Sequence, residues 1–213
     1  MGSFDEINPE DLTPAMKQFV DIKSQHKDAI VFFRMGDFYE TFYDDAVTAA
    51  EILHITLTSR RQGKGKAPLA GIPYHAADTY IKRLIDARQK VVVVEQLEDP
   101  KQTKGVVKRG VTRIITPGTI LEDNILSPTQ NNYLASIVLS GSRFGIAVCD
   151  VSTAEVKMTQ SDDIDLLYGE LEKFKPAELV VANSFSHQNL IRTCQRLNIT
   201  LSRMDEEFFE YDM

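Results

Sequence analysis

Residues 33–44 read FRMGDFYETFYD, and the fold of the first half of the chain turns on them. Side chains alternate across a strand, so a strand over 38–43 puts Phe38, Glu40 and Phe42 on one side and Tyr39, Thr41 and Tyr43 on the other. At roughly 3.3 Å of rise per residue, Phe38 and Glu40 then stand only about 7 Å apart. A large ring beside a carboxylate suits neither a dry core nor a solvated face. Upstream, AIVFFRM (29–35) has the apolar run of a buried strand. Gly36-Asp37, with glycine first, is the connection a type II′ hairpin turn requires.

The elements around this hairpin follow from caps and periodicity. Thr13-Pro14 is a helix start, and Met16, Phe19 and Val20 continue it to about residue 26. Asp44 and Asp45 stand as cap and first-turn acids of a helix over about 44–54. HITLTS reads as a short strand and RRQGKGK as a polar, glycine-spaced loop. A helix is expected over 76–89 with Tyr80, Ile81, Leu84 and Ile85 inward, then a central strand VVVVEQL (91–97). DPKQTKGVVKRG reads as a loop or ribbon, and VTRIIT as the last strand of a mixed α/β domain, 1–117.

PGTILEDNILSPTQNN breaks the periodicity and marks a linker, 118–131. YLASIVLS, RFGIAVCDVS and EVKMTQ then form an antiparallel meander joined by short turns. Helix, strand, helix and strand follow, an order that resembles the ribonuclease H-like arrangement over 132–213. The chain ends on the acidic, uncapped MDEEFFEYDM, which reads as a cut within a longer protein.

Composition narrows the chemistry. With 213 residues, 43% hydrophobic and 26% charged, the chain is ordinary globular material. Cys149 and Cys194 are 45 positions apart without a CxxC or Cys/His cluster, so they read as reduced, buried thiols. No signal peptide or apolar span appears, which places the expectation in the cytoplasm. The net charge of −7 is unevenly spread. Residues 1–120 carry 17 Lys and Arg against 16 Asp and Glu, and 121–213 carry 7 against 15; within 51–119 the balance is 13 against 6. A basic segment inside an acidic chain points to a localised anion-facing surface.

The ring and the carboxylate have two readings. In one they belong to a half-buried strand with Glu40 at the sheet edge. In the other, Phe38 is a wedge for a base step, and Glu40 meets a base edge as acceptor or, if protonated, as donor. Arg60, Arg61, Lys64 and Lys66 in SRRQGKGK suit phosphate contacts, with a solvated loop as the alternative. Lys101, Lys104, Lys108 and Arg109 form a second basic run. No GxxxxGK[ST] pattern occurs, which argues against a P-loop, and His75 lacks a nucleophile to serve. Asp150, with Glu155, Asp163 and Asp165, raises a metal-dependent nuclease of ribonuclease H type as a rival, although Asp163 and Asp165 read more simply as helix-start acids. A non-catalytic protein-interaction module is the third possibility.

GDFYE within FFRMGDFYETFYDDA, PLAGIPYHA (68–76), EQLEDP (95–100) and RIITPGT (113–119) closely resemble, in order, the amino-terminal part of the MutS family of DNA mismatch-repair proteins. The resemblance implies a mismatch-recognition domain followed by a connector domain, ribonuclease H-like and incomplete. It implies that Phe38 stacks on a mispaired base from the minor groove of a kinked duplex while Glu40 hydrogen-bonds to it. Met35, Arg60, Arg61, Lys64, Lys66, Leu69, His75 and Lys108 are then expected at the DNA backbone or groove. Within this chain it implies no catalytic residue, metal or cofactor. For the full-length protein it implies ATP and Mg²⁺ at an ATPase domain, a homodimer, and a MutL-type partner meeting the connector domain; the fragment itself is expected to be monomeric.

Overall fold

A computed structural model describes residues 4, 12–62, 65–99, 102–103, 105–120 and 131–210. The chain divides into two compact units, Met1–Ile115 and Thr116–Met213. The expected linker falls largely on 121–130, outside the described residues.

In the first unit, Thr13 caps α1 (Pro14–Gln25) by accepting the Met16 N–H, as its hydroxyl before Pro14 suggested. A six-stranded mixed sheet has the order β3-β4-β2-β1-β5-β6, from β1 (Ala29–Met35), β2 (Phe38–Phe42), β3 (Thr58–Gln62), β4 (Gly65–Pro73), β5 (Lys90–Gln96) and β6 (Arg109–Ile115). β1 and β5 run parallel at its centre, and every other pairing is antiparallel. The hairpin joins Met35 to Phe38 with two residues between. Gly36 alone takes positive φ, +61°, the pattern of a II′ turn.

Four local expectations need correction. β2 stops at Phe42, and α2 (Tyr43–Leu53) begins at once, with Tyr43 at φ 56° and its ring buried. The cap position is therefore Phe42, without a side-chain bond, rather than Asp44. RRQGKGK is not a free loop: Arg60 and Arg61 lie on edge strand β3 and Lys66 on β4, paired Arg60 with Ala67 and Arg61 with Lys66. Backbone bonding to β4, whose Ala67 is buried in the core, supplies the order that β3's own side chains lack. HITLTS accordingly becomes extended only from Thr58. The third helix, α3 (Ala77–Asp86), is shorter than expected because a 3₁₀ turn, Tyr74–Ala76, precedes it and Arg88 takes φ 63° after it.

One sheet face carries the apolar cluster of Met16, Phe19, Val31, Phe33, Phe42, Val92 and Val94. Across its edge Lys23 donates to Asp45 at 2.8 Å, and Asp45 also accepts the Val31 N–H at 3.1 Å. This buried pair ties α1, α2 and β1 together.

The second unit has the order β11-β10-β7-β8-β9, from β7 (Tyr133–Ser140), β8 (Arg143–Asp150), β9 (Glu155–Ser161), β10 (Glu178–Ala182) and β11 (Thr200–Met204). The first three form the antiparallel meander, while β7, β10 and β11 are parallel, which is the ribonuclease H-like order. α4 (Ile164–Phe174) and α5 (Gln188–Arg196) bury Leu167, Leu171, Leu190 and Cys194 against Ile137, Phe144, Ile146, Val148, Leu179 and Val181. Both cysteines are free. Cys194 is buried, with its thiol pushed up to about 11, but Cys149 is only half-buried because it points to the sheet's other face.

Candidate nucleic-acid interface

Exposure rises along one side of β2. Phe42 lies in the core, the Glu40 side chain keeps 18% of its surface, and Phe38, just past the turn, is 48% exposed. Their face-mates answer why ring and carboxylate coexist: α1 and the core cover the far end of this face, and the hairpin tip runs beyond that cover. On β4, Gly71 stands opposite Glu40 and Pro73 opposite Phe38. A Cβ on Gly71 would lie 3.7 Å from Glu40 Cγ and 3.9 Å from the Phe38 ring, so both side chains lean over the bare backbone there.

Two arginines converge on the carboxylate. Arg60 Nη1 donates to Glu40 Oε2 at 2.7 Å from across β4. Arg109 approaches from β6; its Nε donates to the Arg34 carbonyl at 2.8 Å, its Nη2 lies 3.5 Å from Met35 Sδ, and its guanidinium carbon is 5.0 Å from the Phe33 ring centre. Burial nonetheless raises the Glu40 pKa above the ordinary glutamate value, against the lowering pull of Arg60 and Arg109. Burial also lowers Arg109, and Glu40 opposes that shift.

The tip is braced from the opposite face. Arg34 donates to the Gly36 carbonyl and stacks 3.7 Å from the Tyr74 ring centre, and the Tyr74 N–H donates to the Asp37 carbonyl at 3.1 Å. Tyr39 donates to Glu95, and burial with that bond pushes its phenol up to about 12. Arg34 also lies 3.6 Å from Glu95.

The structure thus brings Met35, Phe38, Glu40 and Arg60 together on one face. Arg61 and Lys66 are exposed cross-strand partners of alternate parity to Arg60 on the β3–β4 hairpin. His75 is exposed in the 3₁₀ turn after Pro73, edge-on to Tyr74, and Lys108 is exposed just before β6. Leu69 is half-buried against the core cluster beside Phe42. Lys64, Lys101 and Lys104 lie outside the described residues. Arg109 read in the sequence only as one of a basic run; its place beside Glu40 depends on β6 pairing Arg109 with Gln96, which no local pattern announces.

In the second unit Asp150 is buried and serves its own loop. Its Oδ1 accepts the Ser152 N–H and Oγ–H at 3.0 and 2.7 Å, and its Oδ2 the Asn132 N–H at 3.3 Å, which hold its carboxyl below the usual range. Asp163 caps α4 by accepting the Asp165 N–H. Among the described residues no three His, Cys, Asp or Glu side chains gather as a metal-binding group, and no helix is long and apolar enough to cross a membrane.

The architecture defined here is a two-unit α/β protein whose distinguishing feature is an exposed aromatic hairpin tip with a carboxylate and arginines on one sheet face. The family description MutS domain I matches residues 13–124, and MutS domain II matches residues 132–213. The chain is 49% identical over 205 residues to the DNA mismatch repair protein MutS of Dehalococcoides mccartyi, covering 96% of this chain and 23% of that relative. It is 46% identical to the protein of the same name from Methanococcoides burtonii (94% and 23%) and 45% to that from Staphylococcus epidermidis (95% and 23%). The chain belongs to the MutS family of mismatch-repair proteins, and spans about a quarter of the length of these curated relatives.

Proposed function

We propose that the first unit recognises mispaired or unpaired bases in duplex DNA, with Phe38 inserting from the minor groove and Glu40 reading the base it meets. The observation that carries this reading is the Phe38 ring: it stands in solvent at the tip while Tyr39, Thr41 and Phe42 of the same strand are buried. Wedges of this kind unstack a base step at a cost of a few kcal/mol, which is smaller where pairing is already weak. Glu40 supplies discrimination. Its raised pKa favours the protonated form, able to donate to a ring nitrogen, and stacked bases and phosphates would raise it further. Arg60, Arg61, Lys66 and Lys108 hold the backbone without reading sequence.

On the same reading the chain binds rather than reacts. ATP and Mg²⁺ act in parts of the longer relatives that this chain does not span, those longer proteins pair as homodimers in the cytoplasm at the nucleoid, and the second unit offers surface to a MutL-type partner.

The test is the affinity of the chain for matched and mispaired duplexes of one sequence at low salt. Phe38→Ala removes a base–aromatic stack of about 1–3 kcal/mol and is expected to abolish the preference for the mispair. Glu40→Ala is expected to erode discrimination while matched-duplex affinity holds or rises. An undiminished mispair preference in Phe38→Ala would refute the wedge.

A further inference from the structure

We infer that Arg60 is a specificity-determining latch on Glu40: it holds the carboxylate in the free protein and releases it only when a duplex offers a phosphate to the guanidinium. The inference rests on the proposed function and adds a condition to it, that base reading by Glu40 follows backbone engagement by Arg60.

The geometry separates the two partners in freedom. Arg60 reaches Glu40 Oε2 at 2.7 Å from edge strand β3, over the strand that carries Ala67 and Gly71. The Arg60 side chain is 44% exposed and Glu40 18%, so the guanidinium can swing outward while the carboxylate stays in place beside the Phe38 ring. Because the arginine end of the pair stands in solvent, the pair costs less to break than a fully buried one. A phosphate is a competing acceptor well matched to the arginine fork. Arg109 is different. Its guanidinium is spent on the Arg34 and Val107 carbonyls, so it remains near Glu40 when Arg60 leaves. Around Glu40 the neighbouring strands otherwise present Phe33 on β1 and Gly71 on β4, neither of which titrates. Loss of Arg60 therefore removes one of two cations from a half-buried acid, leaving the other to keep it oriented.

The chemistry makes an unlatched Glu40 costly on ordinary duplex, where it faces phosphates with no base edge to accept it. In the latched state Arg60 neutralises that repulsion but is itself withheld from the backbone. Matched duplex is thus penalised in either state, and only a site that accepts both groups recovers both interactions.

The experiment compares the intact chain with Arg60→Gln, Arg60→Lys, Glu40→Gln and the Arg60→Gln/Glu40→Gln double variant, binding matched duplex at low ionic strength. Carboxyl NMR of Glu40 at high protein concentration runs alongside, with folding checked by circular dichroism melts. Glu40→Gln frees Arg60 and is expected to raise matched-duplex affinity about twofold to fivefold in the wild-type background. In the Arg60→Gln background only the relief of the Glu40 charge facing phosphates remains, so the gain is expected to be clearly smaller, with Arg60→Lys in between. In free protein the Glu40 titration lies lower in wild type than in Arg60→Gln, and saturating matched duplex closes that gap. An equal gain in both backgrounds, no gain in either, or a gap that survives saturation overturns the latch. These readouts need no mispair, so the latch can fail while Phe38→Ala still abolishes mispair preference; resonances that do not move with any duplex would instead sink the proposed function itself.

Discussion

Asp45 and Asp150 are both buried carboxylates, and they depend on pH in opposite directions. For Asp150, the Ser152 hydroxyl and the backbone N–H groups of Ser152, Asn132 and Thr153 favour the ionised form, so its folded pKa lies below the unfolded value of about 3.9. Its stabilisation is complete above that value and is lost as pH falls through the folded pKa. Asp150→Asn is therefore expected to be less stable than wild type at pH 7 and to lose less stability on acidification below about pH 4, as read from urea midpoints. For Asp45, burial outweighs Lys23 and raises the pKa, so ionisation costs stability as pH rises through the carboxylate range. Asp45→Ala strands Lys23 and is expected to cost about 3–5 kcal/mol, while Lys23→Met with Asp45→Leu costs less than either single change. Neither role was legible in the sequence. Asp45 looks like a first-turn acid, and it is one; the lysine 22 positions upstream becomes its partner only when α1 packs across the start of β1. The exposed position of Phe38 was legible because a tight turn fixes where its strand begins.

At the scale of elements, the hairpin tip and the segment entering the second unit contain two glycines needed for different reasons. Gly36 takes φ +61° with nothing within 4 Å of an added Cβ, so Gly36→Ala is purely a conformational cost, about 1–2 kcal/mol. Gly118 has an ordinary φ, but its Cβ would stand 2.8 Å from both Glu178 Cβ and Leu134 Cδ1. There the buried Glu178 gathers the Gly118 N–H and the hydroxyls of Thr116 and Ser202, pinning residues 116–118 to the sheet. Gly118→Ala is expected to destabilise the second unit by at least as much as Gly36→Ala destabilises the first. Hydrogen exchange separates them, faster at residues 36–38 in one variant and along β7 and β10 in the other. The hairpin and the ribonuclease H-like order could be read from sequence because turn chemistry and alternation repeat locally. β3 could not, because its order comes from β4 rather than from apolar residues of its own. The brace of Arg34 on Tyr74 also escaped, since it joins positions 40 apart through the tip they both support.

For the whole molecule the uneven charge sets how binding should respond to salt. Residues 121–213 carry 7 basic against 15 acidic side chains, while the basic excess lies in 51–119, which includes the β3–β4 hairpin and the approach to β6. If the cationic surface binds DNA by displacing counterions, log affinity falls linearly with log salt, by about 0.9 for each phosphate neutralised. Arg61→Ala and Lys66→Ala, an exposed cross-strand pair on the β3–β4 hairpin, are each expected to lower affinity for matched and mispaired duplexes alike and to reduce the slope by about one. Phe38→Ala is expected to leave the slope unchanged, because an apolar ring displaces no counterion. Glu40→Gln should steepen it if Arg60 is thereby freed for a phosphate. Anisotropy titrations across a salt series measure all four slopes. A slope that changes with Phe38 but not with Arg61 or Lys66 would mean that the duplex meets the tip without meeting the Arg61–Lys66 side of the β3–β4 hairpin, and the proposed docking face would have to be confined to the sheet face of Met35, Phe38, Glu40 and Arg60.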